Sequence, residues 1–490
     1  MTLATPASGE RLTLPPFEHW EAAARENGVA FKPLVPLRDA MRRAALESAE
    51  RYTRRLGLPV SSAAPGLPLV MAGHQPSFYH PGVLYKYRLL AEAAARGMTA
   101  INLNVDTDPS EGFLVKVPSF SGGEYRRIAH YAAPAAANML YLDAPVREGE
   151  ITAFAENVLR DLRSIPERIF SFGEIFAETE LRRELPPLMA DAAVHLRRTY
   201  TSHWPGGVLE LPLSELCRTE PFFTFAFGLL TRAPEAAAIF NETLAAYRAE
   251  HGIRSKANPF PDLASDGQAV ETLFWVCKNG VRQPLSVAMR GGFPALLVDG
   301  MHEMRDVGML RDFCGKRELQ LWPRAMALSV LNRLFVADLF VHGTGGAKYD
   351  RITDLFISRF HGITAPPFAV ASATLKLPGL DDPAPGLAAL RQRLREAAFH
   401  PERFLENAPP ALVAEKENLR AAITAPGADK KGIGKRISEI NIELNNLMGP
   451  VRHDLERRIA SAEKALGRHE ALADREFPYF FYPPTAMPSP

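Results

Sequence analysis

Apolar and polar positions set two alternating rhythms along the chain. Residues 67–72 form a short apolar run, followed by a turn with two histidines, Gly73-His74-Gln75-Pro76 and then His80-Pro81-Gly82. An amphipathic stretch continues to about Arg96, and a second apolar run, 100–105, ends in Asp106-Thr107-Asp108. Strand, loop, helix, strand is the unit that builds parallel sheets, and ligands gather in such sheets where strands run out into loops. Both polar clusters fall at such ends.

Upstream, residues 37–56 keep arginines on one face and Ala, Leu and Met on the other, which predicts a helix. Ser61-Ser62-Ala63-Ala64-Pro65-Gly66 breaks it, so residues 1–60 read as an N-terminal helical appendage packed on the core. From 61 to 377 short apolar runs alternate with helical segments. Residues 153–170, 178–200, 222–251 and 323–337 read as helices, the first two interrupted at Pro166 and at Pro186-Pro187. Residues 274–276, 286–288, 295–298, 339–342 and 368–372 read as strands, and the proline-rich tract 253–263 as a loop. The alternation predicts an α/β layer fold with a largely parallel sheet and right-handed crossovers.

Residues 377–385 have the composition of a linker, and the texture changes beyond it. Ile433, Ile437, Ile440, Leu444, Leu447 and Val451 repeat at coiled-coil spacing, flanked by Arg436, Glu439, Glu443 and Arg452, and Gly449-Pro450 divides the helix. Residues 387–398 and 411–423 are candidates to pack antiparallel against it. The stripe fits an intramolecular hairpin and a homodimer equally well. Residues 378–475 thus form a helical coiled-coil arm, and 476–490 a tail whose aromatic run, 477–482, docks on the core or on a second subunit.

Composition changes this picture little. The 490 residues are 47% hydrophobic and 23% charged, an ordinary globular balance with room for two or three domains. A net charge of +1 creates no field to attract a polyanion, so neither nucleic acid nor an acidic membrane is expected as partner. No basic leader with an apolar segment opens the chain and no apolar run reaches about 18 residues, so a cytoplasmic protein is expected. Cys217, Cys277 and Cys314 are widely spaced, which predicts reduced core thiols.

The candidate chemistry sits in the loops. Gly73 lets a ligand approach the backbone beside His74 and Gln75. His80 precedes Pro81 and Gly82 at a helix start, where unpaired N–H groups attract phosphate or carboxylate, and Lys86 adds a cation one turn on. Asp106 and Asp108 are spaced to hold a hydrated magnesium ion or sugar hydroxyls; aspartates also occupy turns simply to bond nearby amides. A second glycine-rich loop offers Gly343, Gly345 and Gly346, with Lys348, Tyr349 and Asp350 as its polar groups, in the context of a phosphate loop but with neither GxGxxG nor Walker spacing. HExxH and GxSxG are absent, and no histidine spacing suggests a metal triad.

With these positions in view, the chain resembles the cysteine-adding enzymes of bacillithiol biosynthesis, the BshC family. Residues 70–86 are similar to that family's early Gly-Gln-Gln loop and helix start, reading here Gly73-His74-Gln75 and Pro81-Gly82-Val83-Leu84-Tyr85-Lys86. Residues 104–113 resemble its acidic strand end, with Asp106 and Asp108 in matching places. Further likeness lies at 247–261, 271–275, 339–353, 362–375 and 430–482. The chain departs from the pattern where His74 replaces a glutamine, at the added His80, and in Gly-Thr-Gly-Gly-Ala-Lys of the second loop. A divergent relative is what these residues describe.

The resemblance implies a Rossmann-like, nucleotidyltransferase-like core, a helical arm that mediates dimerisation, and ligation of cysteine to an amino-sugar conjugate. In the enzyme reading, His74 and His80 polarise a phosphate or carboxyl group while Asp106 and Asp108 position metal or sugar; a nucleotide with Mg2+ is the cofactor this reading admits. The alternatives are a nonenzymatic sugar- or nucleotide-binding protein that retains the same pocket, and a scaffold that acts through the arm.

Overall fold

The computed structural model describes residues 4–30, 34–60, 66–377, 380 and 386–490. The break expected at 61–65 and most of the linker at 377–385 lie outside the described residues. The chain opens with β1 (Arg11–Leu14), α1 (Trp20–Ala30) and α2 (Val35–Arg55), then the unit β2 (Leu69–His74), α3 (Pro81–Ala95) and β3 (Thr99–Asn104). A hairpin, β4 (Leu114–Ser121) and β5 (Glu124–Tyr131), and helices α4 (Glu148–Ser164), α5 (Ser171–Thr179) and α6 (Met189–Tyr200) lead to β6 (Val208–Pro212). Next come α7 (Leu213–Leu216), α8 (Glu220–Leu230) and α9 (Ala233–Glu250), and the strands β7 (Ala269–Lys278), β8 (Val281–Arg290), β9 (Phe293–Leu297) and β10 (Met301–Glu303). After α10 (Val307–Lys316), β11 (Gln320–Pro323) and α11 (Ala325–Val330), β12 (Leu339–His342), α12 (Thr344–Phe356) and β13 (Ala369–Ala373) complete the strands.

Contacts divide the chain into two units: 1–117 with 128–376 and 475–490, and 118–127 with 377–474. The first is mixed α/β. Its main sheet has the order β1-β13-β12-β2-β3-β6, parallel throughout except for β1 at the edge. β3 and β13 are buried along their whole length, as strands covered on both faces must be. Met71, Ile101, Leu103, Leu209 and Leu211 face a large core shared with α2, α8, α9 and α12. α3 packs across β2, β3 and β13 on the opposite face. From β2 the chain steps through α3 to β3 on one side; from β12 it steps through α12 to β13 on the other. Strand order therefore reverses between β2 and β12, which opens a crevice at the carboxyl rim of the sheet.

Segment 1–60 packs on the first unit: β1 pairs with β13, and α2 lies on β6, with Met41, Ala45 and Ala49 fully buried. Strands expected at 274–276, 286–288 and 295–298 belong to a second, antiparallel sheet, β10-β9-β8-β7-β11. Two-residue turns make it so. Asn279-Gly280 and Gly291-Gly292 both sit at positive φ, the twist that folds a strand back on its neighbour rather than sending it into a crossover helix. The helix expected over 222–251 is divided into α8 and α9, with Pro234 in the first turn of α9.

In the second unit, α13 (Leu387–Phe399), α14 (Pro410–Ala422), α15 (Lys430–Asn446) and α16 (Gly449–Leu472) pack on one another, α15 against α13 and α14, and α16 against α13. The chain breaks at Gly449-Pro450, where the proline occupies the first turn of α16. The coiled-coil stripe divides as well: Ile440 and Leu444 are buried within the unit, Ile433 and Ile437 half-buried, and Leu447 exposed, while Met448 and Leu455 take the inner positions. The three cysteines are free and buried. Among the described residues no helix is long and apolar enough to cross a membrane.

Candidate functional site

A cleft of about 640 Å³ lies at the carboxyl ends of β2 and β3, walled by the loop 74–80, by residues 108–116, by Tyr141, by Arg282 of β8, and by Glu476 and Pro478 of the tail. Each wall has a local cause. Gly73 closes β2 where a Cβ would press on Leu103 at 3.3 Å, so the loop hugs β3. His80 caps α3: its Nδ1 accepts the Gly82 N–H at 3.0 Å, which leaves the ring proton on Nε2 as a donor. Gly82 has no room for a side chain, since a Cβ there would fall 2.8 Å from both the Ala373 carbonyl oxygen and Arg475 Nη2.

His74 borders the cleft and packs edge-on against Tyr79 at 5.1 Å. Burial, helped by the nearby Lys86 charge, pushes its imidazole down to about 3, so it is neutral at physiological pH. Its Nδ1 lies 3.2 Å from the Gln75 carbonyl; a proton there leaves Nε2 as an acceptor. The two histidines are thus matched opposites, one acceptor and one donor.

Gln75 and Asp108 meet at the rim of the cleft. Gln75 Nε2 donates to Asp108 Oδ2 at 2.9 Å, and Arg282 Nη1 donates to Asp108 Oδ1 at 2.6 Å and to the Thr107 carbonyl at 3.2 Å. Arg282 is fixed in turn: it lies 4.8 Å from the Trp275 ring centroid, whose other cationic neighbour, Arg324, lies at 4.1 Å. The antiparallel sheet therefore reaches the rim of the parallel one through a partly exposed ion pair.

Asp106 and Lys86 are corrected. Asp106 is buried and accepts from the Ser214 backbone N–H at 2.9 Å and from the Ser214 hydroxyl, so it ties β3 to α7 and takes no part in the cleft. Burial pushes its carboxyl up to about 6 against those two bonds. Both aspartates lie past the end of β3, where the two-residue repeat that would turn i and i+2 to one face no longer holds, so the two carboxylates part. A magnesium ion held between Asp106 and Asp108 does not fit this arrangement. Among the described residues no cluster of three His, Cys, Asp or Glu side chains is placed to hold a metal. Lys86 is buried behind the loop, its Nζ donating to the Gly73 carbonyl at 2.8 Å, and burial brings its amine down to about 8. It braces the loop from beneath instead of adding a cation to the cleft.

The second glycine-rich loop is not part of the cleft. Gly343 and Gly345 open into free space, and Gly346 is required only by closeness to His342 Nδ1, 3.0 Å from where its Cβ would stand. Lys348 and Tyr349 are exposed, Tyr349 resting against Tyr247 and Phe260. Asp350 is buried between Arg333 and His342, which overcome the effect of burial and hold its carboxyl well below the usual range. These residues fasten α12 to the sheet.

Sequence reasoning missed Glu111 and Lys116, which follow Asp108 in the same wall, and Arg282 and the tail residue Glu476, which border the cleft from segments distant in the chain. Charged groups of the lining are then Asp108, Glu111 and Glu476 against Arg282 and Lys116. An acid-leaning cleft with one neutral imidazole acceptor suits a ligand that carries an amine. No protein-family model and no curated protein matches this chain.

Proposed function

We propose that the chain is a divergent BshC-like ligase, with the parallel sheet as a Rossmann-like, nucleotidyltransferase-like core and the four-helix unit as an arm for dimerisation. The single observation that carries this reading is the convergence of His74, Gln75, His80 and Asp108 with Arg282 on one cleft beside the reversal of strand order. In this reading Nε2 of His74 accepts from the amine of an amino-sugar conjugate, and the Nε2–H of His80, at the positive end of α3, receives the carboxyl of cysteine or another amino acid. Asp108, held by Gln75 and Arg282, lines up a sugar hydroxyl. Joining a carboxyl to an amine expels the elements of water, so a nucleoside triphosphate or an activated acyl donor has to enter as co-substrate.

The test is to incubate the full chain with cysteine, glucosaminyl malate and ATP or CTP and to look for the condensed product by mass spectrometry. Product is expected from the native chain and none from His74→Ala or Asp108→Asn at unchanged melting temperature. Heat of sugar binding in a calorimeter with no product under any combination would favour the nonenzymatic binding protein instead.

A further inference from the structure

Between α3 and α6, away from the cleft, a second cavity of about 250 Å³ is lined by Tyr87, His195, Arg198, Ser202, Trp204 and Gly206 among others. It lies toward the amino end of β6, where Arg198 Nη1 donates to the Val208 carbonyl at 3.0 Å and to the Tyr87 hydroxyl at 2.5 Å. The Arg198 side chain is 10% exposed.

Charge in this region does not balance. Arg197 and Arg198 are both nearly buried, and among the described residues the one carboxylate within reach of them is that of Glu210, itself wholly buried. Glu210 is committed to Arg197: its Oε2 accepts from Arg197 Nη2 at 2.7 Å and from Asn102 and Asn104 at 3.0 and 3.1 Å. Arg198 stands 3.8 Å from the other oxygen, too far for a hydrogen bond. Among the described residues the Nε and Nη2 donors of Arg198 have no acceptor. They form the edge of a planar fork, the geometry that matches a carboxylate with two parallel bonds.

The remaining walls mix aromatic, polar and aliphatic groups: Leu58, Pro59 and Pro205 join Tyr87 and Trp204, whose rings also carry Arg197 and Arg88 at 4.5 and 5.2 Å from their centroids. Tyr87 and Trp204 stand with ring centroids 6.4 Å apart, tilted by 34°. His195 and Ser202 make no side-chain hydrogen bond among the described residues, whereas the Thr199 hydroxyl is spent on the His195 carbonyl of its own helix. We propose that this cavity is a second small-molecule site, separate from the cleft, and that it takes a planar aromatic carboxylate whose carboxyl group pairs with Arg198 and whose ring lies along Tyr87 and Trp204.

The test is calorimetry on the full chain with indole-3-carboxylate as probe and indole-3-carboxamide as its neutral counterpart. The acid is expected to bind at least tenfold more tightly than the amide. Arg198→Gln should lose binding tenfold or more; because Arg198 also holds Val208 and Tyr87, a second variant guards against a folding defect. Gly206→Leu fills the cavity from a position where a Cβ meets nothing within 4 Å, and should abolish binding with the melting temperature intact. Asp108→Asn, in the other cleft, should leave the probe's affinity unchanged, so this result stands apart from that of the proposed ligase. No binding at millimolar probe, equal affinity for acid and amide, or binding that survives Gly206→Leu would overturn the assignment. Inorganic phosphate binding as tightly as the probe would overturn its aromatic part.

Discussion

At the scale of single residues, the pair Asp106 and Asp108 carries the sharpest lesson. Two aspartates in a strand-end triplet look alike in the sequence, yet one is a buried tie to Ser214 and the other a partly exposed partner of Gln75 and Arg282. What separates them is the direction in which each side chain leaves the backbone, which residue type does not encode. The difference is measurable through pH. Asp106 has its carboxyl raised from an ordinary value near 3.8 to about 6, chiefly by burial. The folded chain then binds a proton that the unfolded chain has already released, so stability falls as pH rises from about 4 to about 6 and is level above that. Asp106→Asn carries no such titration. Its stability relative to the native chain is expected to climb across that window and then flatten, read as the difference in urea midpoints at pH 4, 5, 6 and 7. A difference that stays flat would contradict a buried, proton-holding Asp106. Gly82, expected to bind ligand at the helix start, lies inside α3 and does not line the cleft; it has to be small because the Ala373 carbonyl and Arg475 leave no room for a side chain.

At the scale of elements, the β2-α3-β3 unit was readable because local signals agreed. An apolar run, a His-Pro helix start and a second apolar run all fall within about 45 residues, and each is satisfied by its immediate neighbours. The second sheet was equally encoded but in turns instead of runs. Asn279-Gly280, Gly291-Gly292 and Asp299-Gly300 are hairpin signatures that outrank the apolar patches between them, and weighing the patches alone sends these strands into the wrong sheet. These turns have a functional reach, because Arg282 stands two residues after Gly280 and holds Asp108. Gly280 sits at φ 75°, where a Cβ costs about 1–2 kcal/mol. Gly280→Ala is therefore expected to lower stability by about that amount in urea denaturation, while Asn279→Gly, which keeps the same backbone geometry available, lowers it by less. Equal losses in the two variants would show that the turn geometry is not what holds β8 in place.

For the whole molecule, what the sequence did not disclose is where distant segments meet. Arg282 and Glu476 come to the cleft from residues roughly 170 and 370 positions beyond Asp108, and no periodicity links such separations. The tail does carry one local hint, its density of aromatic side chains, which water does not tolerate exposed. Tyr479, Phe480, Phe481 and Tyr482 are each at most 2% exposed. Phe480 stacks on Phe176 at 5.0 Å and meets Phe78 edge-on at 5.7 Å, and the Tyr479 N–H bonds the Tyr79 carbonyl at 3.0 Å, so the tail supports the loop that carries both histidines. Burying one large side chain is worth about 1.5–3 kcal/mol, and four together rival the roughly 5–15 kcal/mol that holds a typical protein folded. A chain ended after Asp474 is accordingly expected to lose its cooperative thermal transition and its near-ultraviolet circular dichroism. Phe480→Ala should cost about 3–5 kcal/mol as a cavity in the aromatic cluster, whereas Glu476→Gln, on the same tail but exposed, should change stability by no more than about 0.5 kcal/mol. If the shortened chain melts cooperatively near the native temperature, the tail is a passenger on the first unit and the cleft owes it nothing.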